Sequence, residues 1–258
     1  MERYLLFTLA APLASFGAVA VGERRPTWDR PSKSQTLGLI AGCLGIARVE
    51  EARHLALAAG LGFAVRVDAR GQLASDYHTA QSPKEVSMRR RAKTHGPVRT
   101  RSDELACDDL KTILSQREFI MGSQHTIALW RMGDTAPTLD EIAAALRNPV
   151  YAPFAGRKAN PLSLPMAPHI VGAPTIEAAF AAFDANEPEG VAAFKREMSS
   201  RPEGYRPIFA DLSAVPLDER ADRVARCEQR RDLPESRAKW RFGPRSEVLL
   251  KETPEAAR

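Results

Sequence analysis

The chain has 258 residues, 44% of them hydrophobic and 27% charged, which excludes a disordered or fibrous protein and suits one large domain with appendages. Its 37 Lys+Arg against 32 Asp+Glu leave a net charge of +5, a lean toward an anionic partner. Three scattered cysteines, Cys43, Cys107 and Cys227, offer neither a disulfide framework nor metal-ligand spacing, and they fit a reducing cytoplasm.

The opening "MERYLLFTLAAPLASFGAVAVG" has the apolar stretch of a secretory leader, but Glu2 cancels Arg3 and Pro12 splits the run. Residues 4–9 read instead as a buried first strand. No other apolar run approaches the ~20 residues that cross a bilayer. Next comes "RRPTWDRPSKSQTLGLIAGCLGI", residues 24–46, basic at first and apolar afterwards. Ser32 and Gln35 form a capping box after Pro31, so a helix is expected from there to about Ile46, fraying at Gly45 and Arg48. Gly38, Gly42 and Gly45 share one face of it. Each costs a helix about 1 kcal/mol relative to alanine, so close packing on a sheet is expected.

"FAVRVD" (63–68) alternates as a strand does, and residues 117–121 and 126–131 read as two strands across a turn at "GSQ". Residues 139–146 form an amphipathic pattern, with Thr138 as cap and Pro149 beyond the end. Strand, helix, strands, helix: this order suits an α+β sandwich of ferredoxin type, helices on one face of an antiparallel sheet. Residues 75–110 are polar, basic and without periodicity, which points to a protruding hairpin or mobile loop. Residues 184–204 read as a surface insertion and 230–251 as one or two closing strands around Trp240 and Phe242. "KETPEAAR" reads as a frayed tail.

The chemistry gathers in basic clusters. Arg24, Arg25, Arg30 and Lys33 surround the expected helix start at Ser32, Lys33 and Ser34, where free N–H groups favour an anion. That makes a phosphate seat, or simply a solvated basic loop. Lys84, Arg89, Arg90, Arg91, Lys93, Arg99 and Arg101 crowd the insertion, as a nucleic-acid contact or as solvated surface. "YAPFAGRKANPL" (151–162) combines Tyr151 and Phe154 with Gly156, Arg157 and Lys158, either an RNA-contacting loop or a Pro-rich connector whose aromatics pack. In "DYHT", His78 beside Tyr77 and Thr79, with Lys84 or Lys93 nearby, is the best place for acid–base work on a ribose 2′-OH. The plainer reading has them stacking or hydrogen-bonding at the root of the insertion. Gly17 and Gly22 have P-loop spacing, but Glu23 and Arg24 follow where Lys and Ser/Thr are needed. No metal or cofactor motif appears.

Together and in this order, "LAAPLASFG", "RRPTWDRPSKSQTLGLIAGCLGI", "FAVRVD", "DYHT", "REF" with its Arg117, "TIALW" and "YAPFAGRKANPL" resemble the CasD family. That family supplies the subunit holding the CRISPR RNA 5′ handle in Cascade, the type I-E surveillance complex. The resemblance covers roughly residues 3–168, with a weaker echo at "RRDLP" and "KWRFGPRSE". Asn160 stands where the family often has cysteine. The resemblance implies a ferredoxin-like (RRM-related) domain over residues 1–174, with an arched β-hairpin thumb at about 75–110 and a smaller C-terminal β extension over 175–258. The implied role is non-catalytic: gripping the crRNA 5′ handle and capping the foot of the complex. Its implied partners are the Cascade backbone subunit, the large subunit and the target DNA held by the assembly, with no membrane involved. Two rivals stay open: a metal-independent endoribonuclease that cuts repeat RNA, and a purely structural assembly subunit.

Overall fold

In β1 (Glu2–Ala14) alternate residues serve different cores: Leu5 and Phe7 join one apolar cluster, Tyr4 and Leu6 another. This strand belongs to the larger of two units in the computed structural model, formed by Met1–Phe16, Trp28–Leu73 and Ile120–Arg258. The smaller unit comprises Gly17–Thr27 and Ala74–Phe119. The structure describes residues 1–198 and 205–251. After β1 come the short strands β2 (Phe16–Gly17), β3 (Arg24–Arg25) and β4 (Thr27–Trp28), then α1 (Lys33–Cys43), α2 (Glu51–Gly60), β5 (Leu61–Ala69) and β6 (Gln72–Pro83). They are followed by α3 (Glu85–His95), α4 (Arg101–Leu105), β7 (Leu110–Arg131), α5 (Leu139–Arg147), β8 (His169–Ala173), α6 (Ile176–Ala185) and α7 (Glu189–Met198). β9 (Ile208–Asp211), α8 (Arg220–Arg223), β10 (Val224–Ser236) and β11 (Arg241–Leu250) complete the chain.

The sheet of the larger unit runs β10-β11-β9-β5-β7-β1-β8, every neighbouring pair antiparallel. Leu37, Ile40, Leu57, Ile142 and Leu146 bring α1, α2 and α5 onto one face. The expectation of helices on one face alone needs correction. Ile176, Ala179, Phe180 and Phe183 of α6 cover the other. The cause is visible in β1, β5 and β7, whose apolar residues run on instead of alternating with polar ones, as strands buried on both faces must. Pro12 is accommodated because β8 pairs with β1 only from Glu2 to Leu6, so no second neighbour needs its missing N–H.

Two local expectations also change. The strands expected at 117–121 and 126–131 are one strand, β7, whose register with β1 holds from Leu5↔Leu129 to Ala14↔Ile120. Gly122, at φ 67°, bends that strand without reversing it. The segment 75–110 is not irregular but contains α3 and α4. Only Ser87 of α3 is buried, so no apolar stripe announced the helix. Within the expected insertion at 184–204 lies α7, and residues 199–204, like the tail from 252 onward, fall outside the described residues. β10 and β11 are the expected closing strands, and β9 joins them to β5.

His125 of β7 gives this core a pH dependence. It is fully buried, its ring meets the edge of Phe16 at 5.1 Å, and its Nε2 lies 3.3 Å from the Asp29 carbonyl oxygen. Burial pushes its pKa down to about 4, against a weaker upward pull from Asp68 and Asp29. In the unfolded chain the value returns to about 6.5, so between these limits the unfolded state binds more protons. Stability is therefore complete above pH ~6.5 and falls as the pH drops through that window, by about 3 kcal/mol at 1.36 kcal/mol per unit. Urea midpoints measured across it should fall steeply for the wild type and more shallowly for His125→Gln. Identical slopes would show that another group carries the dependence.

Candidate nucleic-acid interface

Helix α1 starts as its sequence requires. Ser32 Oγ accepts from the Gln35 N–H at 3.3 Å, and the Gln35 side chain accepts from the Ser32 N–H at 3.2 Å. What surrounds that start is not solvent. Lys33 Nζ sits 2.8 Å from Asp211 Oδ2, and the Lys33 N–H donates to Asp232 Oδ2 at 2.9 Å. The Arg30 guanidinium donates to Glu247 and Glu228 and lies 3.5 Å from the centre of the Phe209 ring. Arg245 links the carboxylates, reaching Asp211 at 2.7 Å, Asp232 at 2.8 Å and Glu247 at 2.7 Å. Arg230 approaches Glu247 at 3.3 Å. Burial alone would raise the carboxyl pKa of Asp232, but the Arg245 hydrogen bonds and charge hold it below the ordinary value.

The phosphate seat expected at Ser32, Lys33 and Ser34 is thus filled by the protein's own carboxylates. Lys33 and Ser32 are buried, and Ser34 Oγ lies 3.1 Å from Ser32 Oγ. Asp211, Asp232, Arg245 and Glu247 were missed by sequence reading. The available signal was weak: like Arg230 and Asp232, Arg245 and Glu247 stand two apart and so share one strand face, within the echoing stretches "RRDLP" and "GPRSE". The glycines of α1 do not approach the sheet either. Gly42 has open space where a Cβ would stand, Gly38 has only the Arg237 guanidinium at 3.6 Å, and Gly45, at φ 69°, packs on Val150. It is Leu37, Ile40, Ala41 and Cys43 that face inward.

The loop at 151–162 is a closed structure with a basic rim. The Ala155 N–H donates to the Asn160 carbonyl at 2.8 Å, and the buried Asn160 side chain returns a hydrogen bond to the Ala155 carbonyl at 3.2 Å. Gly156 has φ 84°, and a Cβ there would stand 1.8 Å from the Ser15 carbonyl oxygen. Tyr151 and Lys158 are exposed and Arg157 is half-buried.

In the smaller unit, Arg24 and Arg25 pair in parallel with Gln116 and Arg117, and Arg24 meets Glu118 at 3.1 Å. Tyr77 and His78 are neighbours on β6, so their side chains leave opposite faces of the strand, with Thr79 exposed beside them. His78 Nε2 lies 2.7 Å from Asp76, and Lys84 Nζ lies 2.8 Å from Asp109. Arg89, Arg90, Arg91 and Lys93 all ride on α3, where Arg89 pairs with Glu85 at i,i+4. Arg99 and Arg101 flank the start of α4, Arg101 meeting Glu104 at 2.6 Å. Arg117 Nε donates to Ser115 Oγ at 3.3 Å. The basic residues of this unit therefore lie on its surface, many with a carboxylate alongside.

Residues 4–247 match the family described as CRISPR-associated protein (Cas_Cas5). The chain belongs to this family. The match continues past residue 168, where the motifs faded, and takes in the carboxylates that receive Arg30 and Lys33. The CRISPR system Cascade subunit CasD of Escherichia coli (strain K12) is 31% identical over 166 residues, 64% of this chain and 70% of that protein. A solved chain from a CRISPR RNA-guided surveillance complex superposes with a TM-score of 0.60 at 21% identity, covering 98% of this chain and 92% of its own length. A second structure, described as a Cas protein, gives 0.53 at 22% identity over 96% and 95%. With those two structures the agreement is one of fold. In this chain the basic stretch at 24–46 and the stretches "RRDLP" and "GPRSE" meet in the buried cluster, Arg30 on Glu247 and the Lys33 N–H on Asp232.

Proposed function

We propose that this protein is the non-catalytic RNA-binding subunit of a type I-E CRISPR Cascade complex, holding the 5′ handle of the crRNA and capping the foot of the assembly. The observation that carries the reading is its likeness to the Cascade subunit CasD. We read the order β8-β1-β7-β5, with α1 and α5 as crossovers, as a ferredoxin-like domain. Residues 75–110 are taken as its thumb, and the strands after residue 174 as a C-terminal extension. RNA contacts are assigned to Tyr151, Gly156, Arg157 and Lys158 on the larger unit, and to Arg24, Arg25, Tyr77, His78, Thr79, Arg99, Arg101 and Arg117 on the smaller. The backbone subunit, the large subunit and, through the assembly, target DNA complete the partners, in the cytoplasm. Among the described residues no helix is long and apolar enough to cross a membrane.

Binding without cleavage fits the local chemistry. A 2′-OH attack needs a base and an acid converging on one phosphate. Tyr77 and His78 diverge, and Lys84 is engaged by Asp109. The test is binding of repeat-derived handle RNA across a salt series. Each cation neutralising a phosphate on a single strand contributes about 0.7 to the slope of log K against log salt. Arg157→Ala with Lys158→Ala should weaken binding and flatten the slope by about one to one and a half units. Specific cleavage of repeat RNA, persisting in EDTA and lost in His78→Ala, would overturn the binding-only role in favour of an endoribonuclease.

A further inference from the structure

Trp240 lies in the turn between β10 and β11, half exposed, at φ 48°. A positive φ suits glycine or asparagine, and a bulky ring held there is strained. The apolar core gives no return for that strain, because the indole joins none of its clusters. What it does is gather cations. The Arg48 guanidinium stands 4.4 Å from the ring centre and that of Arg237 5.2 Å, with Phe242 alongside at 6.2 Å.

Arg48 is exposed and Arg237 half-buried, and their surroundings differ from those of the buried arginines. Arg30, Arg66 and Arg245 each meet at least two carboxylates. Among the described residues, neither Arg48 nor Arg237 forms an ion pair, and Arg237 Nε is buried without a hydrogen-bond partner. The adjacent carboxylate, Glu51, is engaged by the Ser236 hydroxyl at 2.7 Å and the Arg237 N–H at 3.1 Å. Burial and the charge of Arg48 hold the Arg237 guanidinium below its usual range, as expected of like charges brought together without a counter-ion. Beside Arg237, α1 presents bare backbone at Gly38 and open space at Gly42, so a ligand can approach the helix closely.

We propose that Arg48, Arg237 and Trp240 form a binding site for single-stranded nucleic acid, the guanidiniums holding a phosphate and the exposed indole stacking a base. The site rests on the reading of the chain as an RNA-binding subunit but lies outside the residues assigned above. An acidic protein segment would use the cations and leave the ring idle. A base uses both, since every base has a face to stack.

The test is fluorescence anisotropy of a labelled oligouridylate with the full chain, across a salt series, alongside thermal melting. Trp240→Gly relieves the positive φ, so it should melt at the same temperature or higher while binding about tenfold more weakly. Arg48→Ala with Arg237→Ala should flatten the salt slope by about 0.7 units, the share of the one phosphate they hold. A Trp240→Gly protein that melts earlier would make the indole a structural prop and overturn its stacking role. Unchanged affinity and slope in both variants would overturn the site. Handle RNA that still depended on Arg157 and Lys158 would then leave the proposed function standing, whereas a wild type that binds no RNA at all would remove both. Polyglutamate bound by the wild type and lost in the double arginine variant would reassign the cations to an acidic protein partner.

Discussion

Glu247→Ala should cost about 3–5 kcal/mol of stability, the loss seen when a buried charge network loses one partner. Glu247 is fully buried and accepts from Arg30, Arg245 and Arg230. Removing its carboxylate takes a shared counter-charge from three guanidiniums at once, leaving Arg30 on Glu228 and Arg245 on Asp211 and Asp232. Arg245 makes the imbalance worse. Burial disfavours its charge, yet Asp232, Asp211 and Glu247 together raise its pKa above the ordinary arginine value, so it stays charged whatever its neighbour becomes. Glu247→Gln keeps the shape and some hydrogen bonds and should lose less. Added salt should not mask the effect, because a buried pair is screened far less than an exposed one. The exposed Arg89–Glu85 pair is the internal contrast, at 74% and 71% side-chain exposure. Breaking it with Arg89→Ala should cost well under ~1 kcal/mol. Urea denaturation decides the matter. A Glu247→Ala loss no larger than that of Arg89→Ala would mean the cluster is wetter and looser than its geometry implies.

The same cluster explains where sequence reading succeeds and where it stops. Caps and local periodicity are short-range, so the Ser32–Gln35 box, the Thr138 cap, and the strands built on "YLLFTL" and "FAVRVD" are legible at once. The fate of Lys33 is not. Its partner Asp211 stands 178 residues away, and nothing in a basic, proline-rich stretch distinguishes a cation bound for RNA from one bound for a carboxylate. Gly122 misleads for a related reason: a glycine permits a turn or a bend, and only the pairing of β1 with both halves of β7 chooses the bend. The helix α3 hides because it buries little, and solvent imposes no apolar period on a helix it surrounds. In the loop at 151–162 the sequence shows a glycine between aromatics and cations. The loop's closure through Asn160 and its dependence on Ser15 are not legible there.

Gly156→Ala carries that dependence into function. At φ 84° an alanine costs about 1–2 kcal/mol from its own backbone conformation alone. Its Cβ would also stand 1.8 Å from the Ser15 carbonyl oxygen, and that oxygen is not free to move aside. The Ser15 N–H is bonded to the Ala155 carbonyl at 3.1 Å, and the Ser15 carbonyl accepts from the Gln35 side chain at 3.4 Å. The loop must therefore lift from the end of β1, breaking bonds that also brace α1, for a total of about 2–4 kcal/mol. Gly42→Ala is the control. Its Cβ would meet nothing within 4 Å, and in a helix interior it should be neutral or stabilising by up to about 1 kcal/mol. Arg157 and Lys158 follow Gly156 directly, so a lifted loop also displaces the cations assigned to the RNA. At a temperature where Gly156→Ala is still folded by circular dichroism, its handle-RNA affinity should be lower than wild type, and its salt slope should move toward that of the Arg157/Lys158 double variant. Full affinity in a folded Gly156→Ala protein would mean that this loop does not position the RNA, and the contacts would have to be sought on other surfaces.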